Sequence, residues 1–338
     1  MDTRKRTRRS LFATVCDGRD ILSARRLFVE AAARGRWKGD FALLCMGVED
    51  EELEWFRSRG VLVRTYGTFF DPEEWSSRRP WNPINQVCLL KYHLFTGEFR
   101  DWDAIVYMDT DVEINGSIAA LADAKGFRAV RDPCPFVYDH FIPGAGRSLR
   151  AYRQILRRSA FNSGILAFTP DLLPPDTYER LVGLTDELFD ICRFSDQSIF
   201  NLLFGGTWKR LPAEFNCMAA LFQRRIDEKD MTLLSQARVV HFAGKQKASS
   251  PDHPRHDRWL EMLELAESTP GFSELPDLPE RINLTPAPII ESITKQAHKK
   301  RIRKERLQYF LRYIKRRFPG IWSPAARIYH RLRRKRAA

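Results

Sequence analysis

The chain reads as an α/β protein built on a mostly parallel, mixed sheet flanked by helices, and two observations carry that expectation. Over the first two-thirds of the sequence, short apolar runs alternate with amphipathic stretches. Strands that alternate with helices in this way imply a sheet covered on both faces. With 338 residues, 43% of them hydrophobic, and eight Trp, the chain is also long enough to bury a substantial core.

Taken in order, Leu11–Cys16 reads as a buried strand. A helical pattern follows, with apolar Ile21, Leu22, Ala24, Leu27, Phe28 and Ala31. Phe41–Met46 is a second strand, Glu51–Arg59 a helix closed by Gly60, and Val61–Val63 a third strand. A helix is expected over Ile84–Phe95 and a fourth strand over Ala104–Met108. Later strand candidates are Phe127–Arg131, Gly164–Phe168 and Arg238–Phe242. In such sheets ligands sit at the carboxyl ends of the strands, so the residues just beyond those ends matter most.

The formal net charge of +13 suggests a nucleic-acid binder until its distribution is considered. Residues 295–338 hold 17 Lys and Arg against one acid, Glu305, which leaves −3 for everything before them. The charge therefore belongs to an appended tail and not to the fold. Six scattered cysteines with no CxxC pair read as ordinary thiols of a reducing compartment, and neither a disulfide framework nor a zinc site is expected. The apolar run after the basic N-terminus is too short for a signal-peptide core. Nothing approaches the roughly 18 apolar residues of a membrane-spanning helix.

The chemistry begins at Tyr107-Met108-Asp109-Thr110-Asp111, directly after the fourth strand. Two carboxylates one residue apart can converge on one divalent cation at a strand end, but not within a regular strand. Alone, such a pair more often serves loop hydrogen bonding. Four further segments follow in order. Phe161-Asn162-Ser163-Gly164 is a polar elbow leading into an apolar strand, and Asp196-Gln197 opens a helix. Leu211-Pro212 with Asn216 comes next, and then His241 at a strand end with Gly244 and Lys247 behind it.

In order and spacing this set resembles the family 8 retaining glycosyltransferases, the group of glycogenin and of bacterial lipopolysaccharide galactosyl- and glucosyltransferases. The likeness covers roughly residues 10 to 260. It implies the GT-A fold, a Rossmann-like sheet. It also implies a cation, Mn²⁺ or alternatively Mg²⁺, held by Asp109, Asp111 and His241, and a donor that is a nucleotide diphosphate sugar, expected to be UDP-linked. Carboxylates with one imidazole suit Mn²⁺. Donor contacts are implied for Thr14, Asp17, Lys91, Asp109, Thr110, Asp132, Asn162, Ser163, Gly244 and Lys247. Asp196 and Gln197 are implied to flank the anomeric carbon. Gln197 would stabilise the transition state of a front-face displacement, and Asp196 is the alternative, a nucleophile. For the last pair the bland reading is helix capping by Asp196. The segment departs from the family in two places. Cys16-Asp17-Gly18-Arg19 has no aromatic residue to stack on a base, and Ala248-Ser249 stands where the family has Pro-Trp.

The domain plan expected is a catalytic domain over 10–267, a linker or strap over 268–294 and a basic amphipathic helical tail over 295–338. In the tail, Leu307, Phe310, Leu311, Ile314 and Phe318 form one helical stripe among basic residues. That pattern suits an anionic membrane surface. The expected protein is cytoplasmic and peripheral on the cytoplasmic membrane face, and it glycosylates a glycan or lipid-linked acceptor in lipopolysaccharide or surface-glycan synthesis. The rival readings are a soluble glycogenin-like transferase acting on protein or polysaccharide, and a nucleic-acid binder using the tail, although no specific nucleic acid is expected.

Overall fold

The structure is a computed structural model that describes residues 8–78, 85–219, 237–244 and 247–281, together with Lys299, Arg303 and Leu307. Its elements are β1 (Ser10–Cys16), α1 (Ile21–Ala33), β2 (Asp40–Cys45), α2 (Asp50–Arg57), β3 (Leu62–Thr65) and α3 (Pro72–Arg78). Next come β4 (Ala104–Met108), β5 (Val112–Ile114), β6 (Phe127–Phe136), α4 (Arg153–Leu156), β7 (Ser159–Phe168), α5 (Thr177–Leu188) and α6 (Ser195–Phe204). The last are β8 (Lys209–Arg210), β9 (Cys217–Met218), β10 (Val239–His241) and α7 (His256–Ser268).

Seven strands form the main sheet in the order β3-β2-β1-β4-β7-β6-β8. β7 alone runs against its neighbours β4 and β6, and the other pairings are parallel. This is the mixed α/β architecture expected. The side chains of β1 explain why both faces must be covered. Phe12 joins one buried cluster with Phe28, Phe41 and Phe56, while Leu11, Ala13 and Val15 join another with Leu89, Phe95 and Phe200. Successive strand residues point to opposite faces, so an unbroken apolar run needs a helical layer on each side. α1 and α2 supply one layer, and α5, α6 and the segment Gln86–Phe95 supply the other.

The segment Gln86–Phe95 departs from expectation, because it is a 3-10 helix and not an α-helix. Its first residue follows Asn85, whose side chain accepts the Val87 N–H at 3.1 Å. With three residues per turn, Cys88 and Lys91 stack in one row. Cys88 Sγ then meets Ser195 Oγ at 3.1 Å, and Lys91 Nζ meets Asp196 at 3.1 Å. Ile84, where this helix was expected to begin, lies outside the described residues.

A second, three-stranded sheet, β5-β10-β9, was not foreseen beyond β10 because its strands are only two or three residues long. The reversed β7 and this small sheet together build the site. Met108 pairs with Ile165, and the Asp109 N–H reaches Gly164 O at 2.8 Å, which brings the Asn162-Ser163-Gly164 elbow beside the end of β4. Val112 pairs with His241, and Met218 pairs with His241 on the other side.

Beyond α7, Phe272 packs on Phe41 with ring centroids 4.6 Å apart, and Arg281 N–H bonds Asn115 O at 2.7 Å. The chain separates into two units, Met1–Thr294 and Lys295–Ala338. Of the second unit, Lys299, Arg303 and Leu307 are helical. The rest of the apolar stripe, Phe310, Leu311, Ile314 and Phe318, lies outside the described residues. Among the described residues no helix is long and apolar enough to cross a membrane. All six cysteines are free.

Candidate metal and donor site

Three side chains converge at the carboxyl end of β4. One ligand atom from each of Asp109, Asp111 and His241 lies within 4.8 Å of the others. His241 Nε2 stands 3.1 Å from Asp111 Oδ1 and 3.8 Å from Asp109 Oδ2. Asp111 Oδ1 is buried and makes no hydrogen bond of ordinary geometry, although His241 Nε2 stands beside it. A hard-to-intermediate divalent cation fits this donor set of two carboxylates and one imidazole. Burial raises the Asp111 carboxyl pKa, but His241 and then Lys247 outweigh burial and hold it below the usual carboxylate range. His241 shows the mirror image, since burial lowers its pKa and Asp111 and Asp109 raise it overall.

Local structure explains why the three side chains can meet. Gly164 faces them: a Cβ there would lie 2.2 Å from His241 Cε1 and 2.8 Å from Asp109 Oδ2. Asp111 is held from the other side, where its carbonyl accepts the Phe242 N–H at 3.0 Å. Behind the turn, Arg26 on α1 donates to Thr110 O at 3.2 Å, the one hydrogen bond of Thr110 among the described residues. Gly244, with φ +108°, adopts a backbone conformation that favours glycine and turns the chain after β10. Lys247 ion-pairs with Asp111.

Lys91 is 2% exposed and stands 3.1 Å from both Asp109 Oδ1 and Asp196 Oδ2. Burial disfavours its charge, yet Asp109 and Asp196 raise its pKa well above the ordinary lysine value. It therefore bridges the end of β4 to the first turn of α6 as a cation. Asp196 keeps a raised pKa, because burial outweighs the attraction of Lys91. Ser195, just before it, has φ +43°, an uncommon conformation for a residue with a side chain and one that marks a constrained turn. Asn201 clamps α6 to β7, donating to Phe161 O at 2.8 Å and accepting from Phe161 N–H at 2.9 Å.

Gln197 is fixed at both ends of its amide. Its oxygen accepts from Asn162 Nδ2 at 2.7 Å and from Ser163 N–H at 3.1 Å, and its nitrogen donates to Asp132 Oδ2 at 3.0 Å. Ser163 Oγ bonds Asp196 Oδ2 at 2.8 Å. Asp132, Asn162, Ser163, Asp196 and Gln197 thus form one buried cluster next to the carboxylate–imidazole group. Thr14 stands apart: it is fully buried in β1 and its hydroxyl bonds Met108 O at 2.7 Å. Asp17, at the end of β1, is held by Arg19 and by Asn85 Nδ2 at 2.7 Å.

Sequence reasoning missed Tyr107, whose hydroxyl donates to Asp109 Oδ1 and whose ring lies 4.5 Å from Lys91 Nζ. The available signal was its place two residues before Asp109, on the same side of an extended chain. It also assigned no role to Asn216, which lies between Asn162 and His241.

A sequence profile described as glycosyl transferase family 8 matches residues 34–248, more than half of the chain. The chain belongs to glycosyl transferase family 8. This family 8 chain is 25% identical to glycosyltransferase GlyF of Streptococcus pneumoniae over 57% of its own length and 46% of that protein. It is also 25% identical to galactinol synthase 4 of Arabidopsis thaliana, over 58% of its own length and 59% of the relative. It therefore spans about half the length of the curated relatives it matches. Among solved structures, galactosyltransferase LgtC in complex with donor and acceptor sugar analogs aligns with TM-score 0.54 and 18% identity, covering 80% of this chain and 98% of LgtC. Glycosyltransferase GlyE of Streptococcus pneumoniae aligns with TM-score 0.53 and 18% identity, covering 76% and 61%. These likenesses establish the GT-A fold.

Proposed function

We propose that this family 8 enzyme moves a hexose, with retention of the α configuration, from a UDP-sugar to a glycan or lipid-linked acceptor in surface-glycan or lipopolysaccharide synthesis, with Mn²⁺ held by Asp109, Asp111 and His241. The convergence of those three side chains within 4.8 Å at the strand ends carries the reading. A cation there would neutralise charge developing on the departing nucleoside diphosphate. Lys247, which ion-pairs with Asp111, would exchange that partner for a phosphate oxygen. Gly244 lets the backbone of the same turn come close to it.

The sugar would sit over the buried cluster of Asp132, Asn162, Ser163, Asp196 and Gln197. A double displacement needs a free carboxylate nucleophile. Asp196 Oδ2 is instead engaged by Lys91 and Ser163, and Gln197 is an amide with both ends bonded. These engagements support a front-face displacement. In that step the bond from the anomeric carbon to the phosphate oxygen breaks, and the bond to the acceptor oxygen forms on the same face. The acceptor proton passes to the departing phosphate. Gln197, held rigid, would place its dipole against the charge that develops on the sugar.

The basic tail, 295–338, would hold the enzyme on the cytoplasmic face of an anionic membrane, where a lipid-linked acceptor is concentrated. A panel of nucleotide sugars tests the donor reading. One UDP-sugar should be hydrolysed in the presence of Mn²⁺, slowly and without acceptor, with an α-configured sugar released first. Turnover of none of them, or a β-configured product, would reject it.

A further inference from the structure

The polarity of the amide cluster can be assigned from donors that have no alternative. A backbone N–H only donates. Gly164 N–H points at one terminal atom of Asn162 at 3.0 Å, so that atom is the acceptor Oδ1. Asn216 presents an atom to the same Oδ1 at 2.8 Å, and this atom must be its donor Nδ2. The other end of Asn216 is therefore Oδ1, which lies 3.1 Å from His241 Nδ1. An amide oxygen cannot donate, so the proton of a neutral His241 ring sits on Nδ1. The lone pair is left on Nε2, the nitrogen that faces Asp111 and Asp109. The reverse tautomer would point an N–H at the two carboxylates and could not ligate.

A second backbone donor fixes the other arm. Ser163 N–H reaches Gln197 Oε1 at 3.1 Å, so Gln197 turns its nitrogen to Asp132 and its oxygen to Asn162 Nδ2. His241, Asn216, Asn162, Gln197 and Asp132 thus form one hydrogen-bonded run from the carboxylate–imidazole cluster to the sugar end, each of them under one-tenth exposed. Position 216 needs an oxygen toward His241 and a donor toward Asn162, on a side chain short enough to fit between them. Among side chains of this length only asparagine meets both demands.

We propose that Asn216 is a positioning residue with two separable duties: its amide oxygen presents His241 to the cation, and its amide nitrogen ties that ligand to the Asn162–Gln197 pair. The proposal rests on the metal-site reading above. A partner that orients a ligating histidine commonly accounts for 10- to 100-fold in affinity.

The test titrates the full-length protein with Mn²⁺ in the presence of UDP, reading free Mn²⁺ by electron paramagnetic resonance, alongside turnover and thermal melting. Asn216→Leu, which loses both duties, should bind Mn²⁺ about 10- to 100-fold more weakly. Asn216→Ala serves in its place if the leucine variant does not fold. Asn216→Asp keeps an oxygen for His241 but loses the donor toward Asn162, so it should recover most of the Mn²⁺ affinity and still turn over more slowly than the wild type. Asn162→Ala should spare Mn²⁺ affinity and lower kcat. A folded Asn216→Leu or Asn216→Ala protein with wild-type Mn²⁺ affinity would overturn the proposal alone, as would an Asn216→Asp protein that binds no better than Asn216→Leu. A wild-type protein that binds no Mn²⁺ would instead overturn the metal site itself.

Discussion

Gly164 and His241 are packed so closely that a single methyl group on the glycine would fall 2.2 Å from His241 Cε1. The same methyl would stand 2.8 Å from Asp109 Oδ2, so both side chains would have to shift to make room for it. The absence of a side chain at position 164 is what permits the carboxylate and the imidazole to share one space. Gly164→Ala should therefore separate the two groups without unfolding the protein, because β7 keeps its backbone pairing. The expected result is a near-wild-type melting temperature with Mn²⁺ binding lost by ten-fold or more, on the order seen when a ligand's support is removed. Calorimetric titration checks it.

Glu30 answers a different question, namely what holds the Asp109-Thr110-Asp111 turn from behind. Its carboxylate takes Arg26 at 2.6 Å, Arg34 at 3.2 Å and the Ile114 N–H at 2.9 Å, all buried. Arg26 in turn reaches Thr110 O. Glu30→Ala would leave two buried guanidinium groups and one backbone donor without their anion. Breaking a buried pair from one side costs about 3–5 kcal/mol. Urea denaturation should show a loss of that order, whereas a loss under 1 kcal/mol would mean that solvent reaches the network.

His93 sets a pH dependence of stability. Its ring stacks on Tyr66 with centroids 3.7 Å apart, and burial lowers its pKa from 6.5 to about 4, with Glu98 pulling the other way. The unfolded chain therefore binds more protons than the folded one between about pH 6.5 and about pH 4. The folded state loses stability as pH falls through that window, and this loss levels off below it. His93→Phe, which keeps the stack, should reduce the difference in denaturation midpoint between pH 7 and pH 5. An unchanged difference would show that the ring is open to protons.

Much of this was legible beforehand, for identifiable reasons. Long apolar runs such as Leu11–Cys16 and Ala104–Met108 announce strands because each must be covered on both faces. Asp109, Asp111 and His241 were legible through the resemblance of the ordered motifs to family 8 enzymes, and they do meet in space. What the sequence did not reveal depends on pairing at a distance. β9 has two residues and exists only because Cys217 and Met218 pair with Val240 and His241. The 3-10 geometry of Gln86–Phe95 reflects contacts with Ser195 and Asp196, over a hundred positions away. Tyr107 reads as one more apolar strand residue until its hydroxyl is seen against Asp109.

The tail yields a prediction from sequence alone. Replacing Phe310 and Ile314 with Ser in the full chain keeps every charge and removes two anchors of the apolar stripe. Binding to vesicles containing anionic lipid should then become more salt-sensitive, because screening weakens the charge contribution and leaves less insertion to offset it. Flotation across a salt series checks this, and an unchanged profile would mean that the stripe does not insert.

On the proposed function, sugar transfer depends on a cation held by Asp109, Asp111 and His241. The most direct measurement of that dependence is nucleotide-sugar turnover by wild-type, Asp111→Ala and His241→Ala proteins, each with Mn²⁺ and then with excess EDTA. Wild-type turnover should vanish in EDTA and return with added Mn²⁺. Both variants should stay folded and lose about a thousandfold or more, corresponding to several kcal/mol of transition-state stabilisation. Full wild-type turnover in EDTA, or an Asp111→Ala protein as active as the wild type, would contradict it.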